Sequence, residues 1–246
     1  MKRIFILGSS SKWRQDLFRK IIEDFGVISP NINEYEDEIR FGSKKLSENE
    51  KRNYSPSKLV LNIARCKKES IKEILLQEQD PINFFQQINK NFCGKEIVFE
   101  IIIITADEVI QFMNEILEKP ENIDQCRTHL RGYKSSNGPV ISVTGINVAM
   151  INAKIIENKL VFIDEKNIED VDYAKQFFTE SGISLNVIEQ LISKGDVLKS
   201  SGSLLVEDEL MVPFLGSLEG ELESFQGLPL KMTEKLIKEI LQNSQI

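Results

Sequence analysis

The N-terminal pattern of hydrophobic and polar positions predicts a strand, a small-residue turn and a helix. Residues 4–7 are apolar, Gly8 and three serines follow, and apolar positions then return every three or four residues. We expect the helix to begin at Ser11 and to extend to about Asp24. A turn of this kind directs several N–H groups to one place and favours an anion site, with Arg14 as a phosphate-binding cation. A serine-capped connection without a ligand is the alternative interpretation.

The rest of the chain alternates between strand and helix patterns, as expected for an α/β protein. The strongest helical pattern begins at Ser55 and Pro56, which suit an N-cap and a first helical position. The most hydrophobic run, residues 97–105, is rich in β-branched side chains and predicts a central strand with Asp107 at its C-terminal end. Further strands are predicted at 27–28, 140–150 and 160–163, and further helices at 121–130, 184–193 and 230–241. Residues 173–178 fit a strand or a helix equally well.

Two polar segments separate these elements. Residues 36–54 are charged and predict a mobile loop, and the Asn/Gln-rich residues 76–96 predict a polar segment with a short helix. We assign no chemistry to residues 76–96.

Charge and cysteine content narrow the class of protein. The 246 residues include 31 basic and 38 acidic side chains, for a net charge of −7. This balance argues against a sequence-independent grip on nucleic acid or on an anionic membrane. Residues 4–7 are too few for a signal-peptide core, and no apolar run reaches membrane-spanning length. Cys66, Cys93 and Cys126 are far apart and odd in number, which predicts reduced thiols in a cytoplasmic protein.

The chain contains one histidine, His129, near the end of a predicted helix. We expect it to lie at the surface or at the helix C-terminus rather than in a catalytic triad. Any hydrolysis would then depend on carboxylates, lysines and a metal ion.

Several sequence blocks, in order, resemble the Maf-type nucleotide pyrophosphatases. Residues 7–15, Leu-Gly-Ser-Ser-Ser-Lys-Trp-Arg-Gln, resemble the N-terminal signature of that family. Further matches follow along the chain: Asn33-Glu34, Ile63-Ala64-Arg65-Cys66-Lys67, Ala106-Asp107-Glu108, Glu118-Lys119-Pro120, Val143-Thr144-Gly145, residues 198–207 and Gly227-Leu228-Pro229-Leu230. The chain departs from the family pattern at Lys12, Asn33, Glu118 and Ser201.

The resemblance implies one domain over residues 1–246, with insertions near 36–54, 76–96 and 151–182. The implied α/β fold is a mixed twisted sheet flanked by helices. Two lobes enclose a central nucleotide-binding cleft, as in inosine triphosphatases. The family also suggests a homodimer.

The activity that the resemblance implies is hydrolysis of a nucleoside triphosphate to a nucleoside monophosphate and pyrophosphate. Asp107 would be the general base, kept ionised by nearby lysines, while Lys67 and Lys119 would contact phosphates. Glu34 would serve the metal and phosphate site, and Glu34 with Asp107 would bind Mg²⁺ or Mn²⁺. Ser9 and Arg14 would bind the phosphate chain.

Three further positions distinguish branches of the family: Trp13, Glu108 and Glu207. The branch that acts on UTP and dTTP has Arg, Thr and Gln there, whereas the 7-methyl-GTP branch has an aromatic residue, Gln and Glu. Trp13 and Glu207 resemble the second branch, because an indole stacks on a cationic purine and a carboxylate accepts hydrogen bonds from guanine. Trp13 as a hydrophobic anchor and Glu207 as a solvated turn acid are the alternatives. A UTP/dTTP pyrophosphatase and a catalytically weak nucleotide-binding protein also remain open.

Overall fold

The computed structural model describes residues 2–42, 46–94 and 98–242. These residues contain a seven-stranded mixed sheet with the strand order β2-β1-β3-β5-β6-β7, and β4 pairs with β3. β1 is parallel to both β2 and β3, and the remaining pairs are antiparallel. The strands are β1 Lys2–Gly8, β2 Gly26–Ile28, β3 Phe99–Phe112, β4 Glu115–Leu117, β5 Val140–Ile156, β6 Lys159–Phe178 and β7 Leu215–Glu219. The expected α/β fold with a mixed sheet is confirmed.

Helices cover the sheet. They are α1 Lys12–Phe18, α2 Asp37–Phe41, α3 Glu48–Arg52, α4 Pro56–Gln77, α5 Pro81–Ile88, α6 Ile123–Gly132, α7 Leu185–Lys194 and α8 Leu230–Gln242. None of the helices in the described part of the chain is long and apolar enough to span a membrane.

The middle of β3 is buried on both faces, as its continuous apolar sequence predicts. Ile101 and Ile103 belong to a core cluster with Ile71 of α4 and Phe85 of α5. The alternate residues Ile102 and Ile104 pack on the opposite side, in a cluster with residues of α1 and α8. A third cluster joins the far ends of β3 and β5 to α6 and α7.

The sequence pattern predicts that β3 ends near residue 105, just before Asp107, but the strand continues to Phe112. Its parallel pairing with β1 stops where Gly8 lies opposite Thr105, but its antiparallel pairing with β5 continues to Gln111. Pairing with β5 therefore extends β3 past the position where its apolar run ends. Asp107 lies inside the strand, just beyond the point where β1 leaves the sheet.

Two further predictions about local structure are wrong. α1 ends at Phe18 rather than near Asp24, because Phe25 packs edge-on against Phe18 and turns the chain back into β2. The segment 36–54 contains the short helices α2 and α3 where a loop was predicted, and residues 43–45 lie outside the described residues. α2 is held by the burial of Phe41 against Leu59 and Val60 of α4.

The later elements follow the predicted order with shifted ends. α6 begins at Ile123 rather than at Glu121, because the Asn122 side chain caps it. Residues 173–178, undecided from the sequence, belong to β6, which forms a long hairpin with β5. His129 lies in the last turn of α6 as expected, but it is buried rather than at the surface, and its Nδ1 lies 3.1 Å from Ser203 Oγ.

Candidate active site

A cleft of about 860 Å³ opens where β1 leaves the sheet. Its walls come from the β1–α1 turn, residues 107–109 of β3, α4, and the segments around residues 196–209 and 225–227. This volume is within the range of small-molecule sites. All the site residues predicted from the sequence line this cleft: Ser9, Trp13, Arg14, Glu34, Lys67, Asp107, Glu108, Lys119 and Glu207.

The centre of the cleft is a cluster of one lysine and two carboxylates. Lys67 Nζ lies 2.7 Å from Asp107 Oδ1 and 2.8 Å from Glu34 Oε1. The same ammonium donates to the backbone oxygen of Ala106 at 3.3 Å. Lys67 and Asp107 are buried, whereas Glu34 is partly open to the cleft.

Contacts between elements hold this cluster together. Thr105 Oγ1 donates to the backbone oxygen of Ala64 at 2.7 Å, which fixes α4 against β3 one turn before Lys67. Ser70 Oγ accepts from the backbone N–H of Asn31 at 2.9 Å and so holds the segment that carries Glu34. Gly145 of β5 permits the close approach of α4, since a Cβ there would lie 2.9 Å from the backbone nitrogen of Leu61.

Arg14 reaches into the cleft from the first turn of α1. Its Nη1 donates to the backbone oxygen of Ala106 at 2.8 Å, beside Asp107. Its guanidinium lies against Gly227, where an added Cβ would be 2.7 Å from Nε and Nη2. In the sequence, Gly227 is recognisable only as part of a motif. The structure shows that the absence of a side chain at Gly227 leaves room for the Arg14 guanidinium.

The two central carboxylates have opposite pKa shifts. Burial raises the pKa of Asp107 and outweighs the opposing effect of Lys67. Burial also raises the pKa of Glu34 and is the largest single effect, but the combined attraction of Lys67, Lys119 and Arg14 outweighs it and lowers that pKa. The expectation that nearby lysines favour the ionised form of Asp107 holds for the direction of the Lys67 effect, but desolvation is the larger effect on the pKa at this buried position.

Glu108 points toward a cluster of hydroxyl groups rather than toward a cation. Ser142 Oγ lies 3.4 Å from Glu108 Oε1 but 2.9 Å from the backbone oxygen of Ser224, so the shorter hydrogen bond goes to the backbone. Ser201 Oγ donates to the backbone oxygen of Glu108 at 3.3 Å. Burial raises the pKa of Glu108 to about 8.

The remaining predicted residues lie at more open positions. The Trp13 side chain is 56% exposed and is not part of a hydrophobic core cluster among the described residues. Burial raises the pKa of Glu207, which lines the same cleft. Lys119 is exposed and has no ion-pair partner in the described part of the chain. The hydrophobic-anchor interpretation of Trp13 is therefore disfavoured.

Sequence reasoning missed Arg40, which lies in the segment interpreted as a loop. Arg40 of α2 forms a two-pronged ion pair with Glu118, and its Nη1 lies 2.9 Å from Glu118 Oε2. The backbone oxygen of Glu118 also accepts from the N–H of Gly202 at 2.9 Å. These contacts hold the residue immediately before Lys119. Glu118 in place of the family glycine was a signal in the sequence that this position is unusual. The sequence did not show that Arg40 is the partner of Glu118.

The side chains of this cluster could supply only some of the oxygen ligands that a divalent cation requires. No cluster of three or more His, Cys, Asp or Glu side chains suited to a metal occurs among the described residues. Asp107 and Glu34 share one lysine ammonium and provide two carboxylates at one place. Mg²⁺ commonly takes one or two carboxylates together with phosphate oxygens and water, so the pair is suited to a metal–nucleotide complex.

Comparison with known proteins assigns the family. Residues 4–240 match the family described as Maf-like protein. The chain belongs to the Maf-like protein family. It is 31% identical to a 7-methyl-GTP pyrophosphatase of Dictyostelium discoideum, over 98% of each chain. It is 22% identical to a dTTP/UTP pyrophosphatase of Clostridium botulinum (strain Kyoto / Type A2), over 98% of each chain. It is also 24% identical to a dTTP/UTP pyrophosphatase of Clostridium tetani, over 96% of this chain and 97% of that one. The family predicted from the sequence blocks is confirmed.

Proposed function

We propose that this Maf-like protein hydrolyses a nucleoside triphosphate to a nucleoside monophosphate and pyrophosphate. The observation that carries the proposal is the Lys67–Asp107–Glu34 cluster, in which Lys67 and Asp107 are buried, inside a nucleotide-sized cleft. Arg14 and Lys119 add positive charge along the same cleft. The relatives named as 7-methyl-GTP and dTTP/UTP pyrophosphatases support the same reaction class.

The phosphate chain would bind to the cationic side of the cleft. Lys67 and Arg14 both lie beside the backbone of Ala106, and together they place two cations next to Asp107. Lys119 contributes a third cation from the opposite segment, and it lowers the pKa of Glu34 after the larger effects of burial and Lys67. A multiply charged triphosphate is stabilised by such converging donors, and the stabilisation grows as charge develops in the transition state.

Asp107 would act as the general base. Its carboxylate would accept a proton from the water that attacks the α-phosphorus, while the bond to the oxygen bridging the β-phosphorus breaks. The leaving pyrophosphate takes the electron pair of that bond. Burial raises the pKa of Asp107, which increases the basicity of the carboxylate toward water.

The reaction would use Mg²⁺ or Mn²⁺ held by Glu34 and Asp107. When bound, such an ion neutralises phosphate charge and lowers the pKa of bound water. Lys67 contacts both carboxylates and would keep them close together, whether or not the substrate is present.

A guanine base, with 7-methyl-GTP as the specific nucleotide, is the substrate we favour. Trp13 and Glu207 line the same cleft, and Trp13 is 56% exposed. An exposed indole stacks on a base and adds cation–π attraction when the purine is methylated at N7. Glu207 and Glu108 supply the polar groups that would read the edge of the base.

Two alternatives remain distinct from this proposal. Hydrolysis of UTP or dTTP is favoured by the names of the clostridial relatives. A catalytically weak nucleotide-binding protein is suggested by the sequence departures, among them Glu118. The Arg40–Glu118 ion pair argues against the second alternative, because it compensates the added charge and leaves Lys119 available to substrate.

Release of pyrophosphate from a nucleotide panel tests these choices. The panel contains 7-methyl-GTP, GTP, UTP, dTTP and CTP, each with Mg²⁺ and with Mn²⁺. We expect the highest kcat/KM for 7-methyl-GTP and no turnover when EDTA replaces the metal. Preference for UTP and dTTP would move the assignment to the other branch. Tight binding without pyrophosphate release from any nucleotide would contradict the enzymatic proposal.

We also propose that the enzyme acts in the cytoplasm, as a homodimer, on free nucleotides rather than nucleic acid. The net charge of −7 supports the exclusion of nucleic acid, since a phosphate backbone requires a basic surface. Light scattering and a nucleic-acid shift assay at low salt would check the assembly and the absence of binding. A monomer, or a shift with DNA or RNA, would contradict these two proposals.

A further inference from the structure

A second cavity of about 1150 Å³, here called the distal cavity, adjoins the candidate cleft. The two spaces share a wall formed by Tyr35, Arg40, Glu118, Lys119 and Lys199. The far side of the distal cavity is formed by the β3–β4 hairpin and by one face of α6. The cavity is therefore an extension of the cleft rather than an unrelated depression.

The shared wall includes a residue to which we assign phosphate binding. Lys119, a proposed phosphate ligand, lines both spaces, and its positive charge acts on Glu34 of the central cluster. Trp13, Glu108 and Glu207, which would surround the base, do not line the distal cavity. A triphosphate with its base near Trp13 would therefore extend its terminal phosphate toward the distal cavity.

The lining of the distal cavity suits a nucleoside. Tyr35 at the shared wall is 61% exposed and offers an aromatic ring for stacking. Lys199 has no ion-pair partner among the described residues and adds positive charge near the same wall. Met113 and Ile116 of the hairpin supply apolar surface on the far side. Stacking surface, cationic groups and apolar contact are the features that bind a base attached to phosphate.

We propose that the distal cavity binds a second nucleoside on the terminal phosphate, so that the protein also hydrolyses dinucleoside triphosphates. This inference rests on the proposed pyrophosphatase function. Water would attack the α-phosphorus and transfer a proton to Asp107, and the bond from this phosphorus to the bridging oxygen would break. The leaving group is a nucleoside diphosphate instead of pyrophosphate. The same atoms react, and no additional reactant is required.

The test compares two substrates that differ only at the terminal phosphate. One is 7-methyl-GTP, and the other is the same nucleotide with guanosine attached to its γ-phosphate. Both are incubated with the full-length protein and Mg²⁺ or Mn²⁺, and the products are separated by chromatography. We expect 7-methyl-GMP with pyrophosphate from the first substrate and 7-methyl-GMP with GDP from the second.

A matched pair of variants on α6 tests the cavity itself. Thr128 is exposed and lines the distal cavity but not the cleft, so Thr128→Trp places a large ring in the cavity. Arg131, exposed on the same helix, lines neither space, and Arg131→Trp is the control. We expect Thr128→Trp to lower kcat/KM for the dinucleoside substrate by roughly 5-fold or more, the effect of losing one base stack, and to spare 7-methyl-GTP. Arg131→Trp should leave both substrates unchanged.

The outcomes separate this inference from the function on which it rests. Hydrolysis of 7-methyl-GTP without hydrolysis of the dinucleoside substrate overturns the inference alone. Equal losses on both substrates in Thr128→Trp also overturn it, because the cavity would then have no selective role. If neither substrate is hydrolysed and the other nucleotides of the panel are also inert, the proposed function fails as well. Tyr35→Ala adds an independent readout, because loss of the ring should raise KM for the dinucleoside substrate. Tyr35→Phe keeps the ring and should have the wild-type KM.

Discussion

Lys67 Nζ lies 2.7 Å from Asp107 Oδ1, and both side chains are almost completely withdrawn from solvent. The pair joins the middle of α4 to the central strand β3 across 40 residues of sequence. A buried ion pair of this kind is weak evidence for stability, because desolvation offsets much of the attraction. The pair lies at the floor of a cleft, and Glu34 contacts the same ammonium. A role in catalysis explains this position better than a role in stability.

The first prediction concerns Asp107 as the general base. Asp107→Asn keeps the shape of the side chain but cannot accept the proton, so kcat should fall by roughly 10²–10⁴-fold. Nucleotide binding, measured by calorimetry with Mg²⁺, should largely survive. Asp208→Asn is the control, since Asp208 lines the same cleft but pairs with Lys194. Near wild-type turnover in Asp107→Asn would remove the assignment.

The second prediction concerns Lys119 as a phosphate ligand. Lys119 has no ion-pair partner among the described residues, so Lys119→Met removes a charge without leaving a carboxylate unpaired. Loss of a charge-assisted contact should lower kcat/KM by about 10- to 150-fold. The factor should be similar for 7-methyl-GTP, GTP and UTP, because phosphates carry no base identity. Lys238→Met on α8 is the control, and a loss confined to one nucleotide would contradict the role.

The third prediction concerns base recognition by Trp13 and Glu207. Glu207→Gln removes a carboxylate that guanine can pair with and should lower kcat/KM for 7-methyl-GTP and GTP by roughly 5- to 150-fold. UTP should be spared or improved. Trp13→Ala should affect 7-methyl-GTP more than GTP, because only the methylated base is cationic. Equal losses on all three nucleotides would mean that these residues support the fold rather than read the base.

The fourth prediction links pH to stability through Glu165 of β6. Burial opposes ionisation of Glu165, but hydrogen bonds from Lys68, Lys72 and Asn167 outweigh it and lower the pKa of Glu165 to about 2. Because the folded-state pKa is depressed, the stabilisation is present above the ordinary value of 4.5 and is lost as pH falls toward 2.

Glu165→Gln should therefore lower the free energy of unfolding at pH 7 by roughly 1–2 kcal/mol, with the figure discounted for partial exposure. Urea unfolding at pH 7, 5 and 3 should show the difference from wild type shrinking at the lowest pH. Glu219→Gln is the control, because its pair with Lys175 is largely exposed and should contribute little. A difference that stays constant from pH 7 to pH 3 would contradict the linkage.

The fifth prediction concerns the contact of Gly145 with α4. A Cβ at Gly145 would lie 2.8 Å from Val60 Cγ2 and 2.9 Å from the backbone of Leu61. Gly145→Ala should displace α4 and lower the free energy of unfolding by about 1–3 kcal/mol. Because α4 carries Lys67, kcat should also fall at temperatures where the variant remains folded. Unchanged turnover in a destabilised but folded variant would show that the displacement does not reach the site.

The sequence by itself determined the family, the fold class and most of the helices and strands. The apolar run at 97–105 indicated a buried central strand because β-branched residues suit a sheet covered on both faces. The periodic pattern after Pro56 indicated α4 because its apolar side chains recur on one helical face. The residues proposed for the site were found by motif, and the structure brings their side chains into one cleft.

Only the tertiary structure decided where β3 ends, how Arg14 is seated and which charges are paired. β3 extends past Asp107 because β5 continues to pair with it after β1 has left the sheet. Arg14 rests on Gly227, and Arg40 pairs with Glu118, across long separations in sequence. Periodicity and capping act over one or two turns, so they reveal local structure. Ion pairing and desolvation depend on which distant segments pack together, and that information appears only in the folded chain.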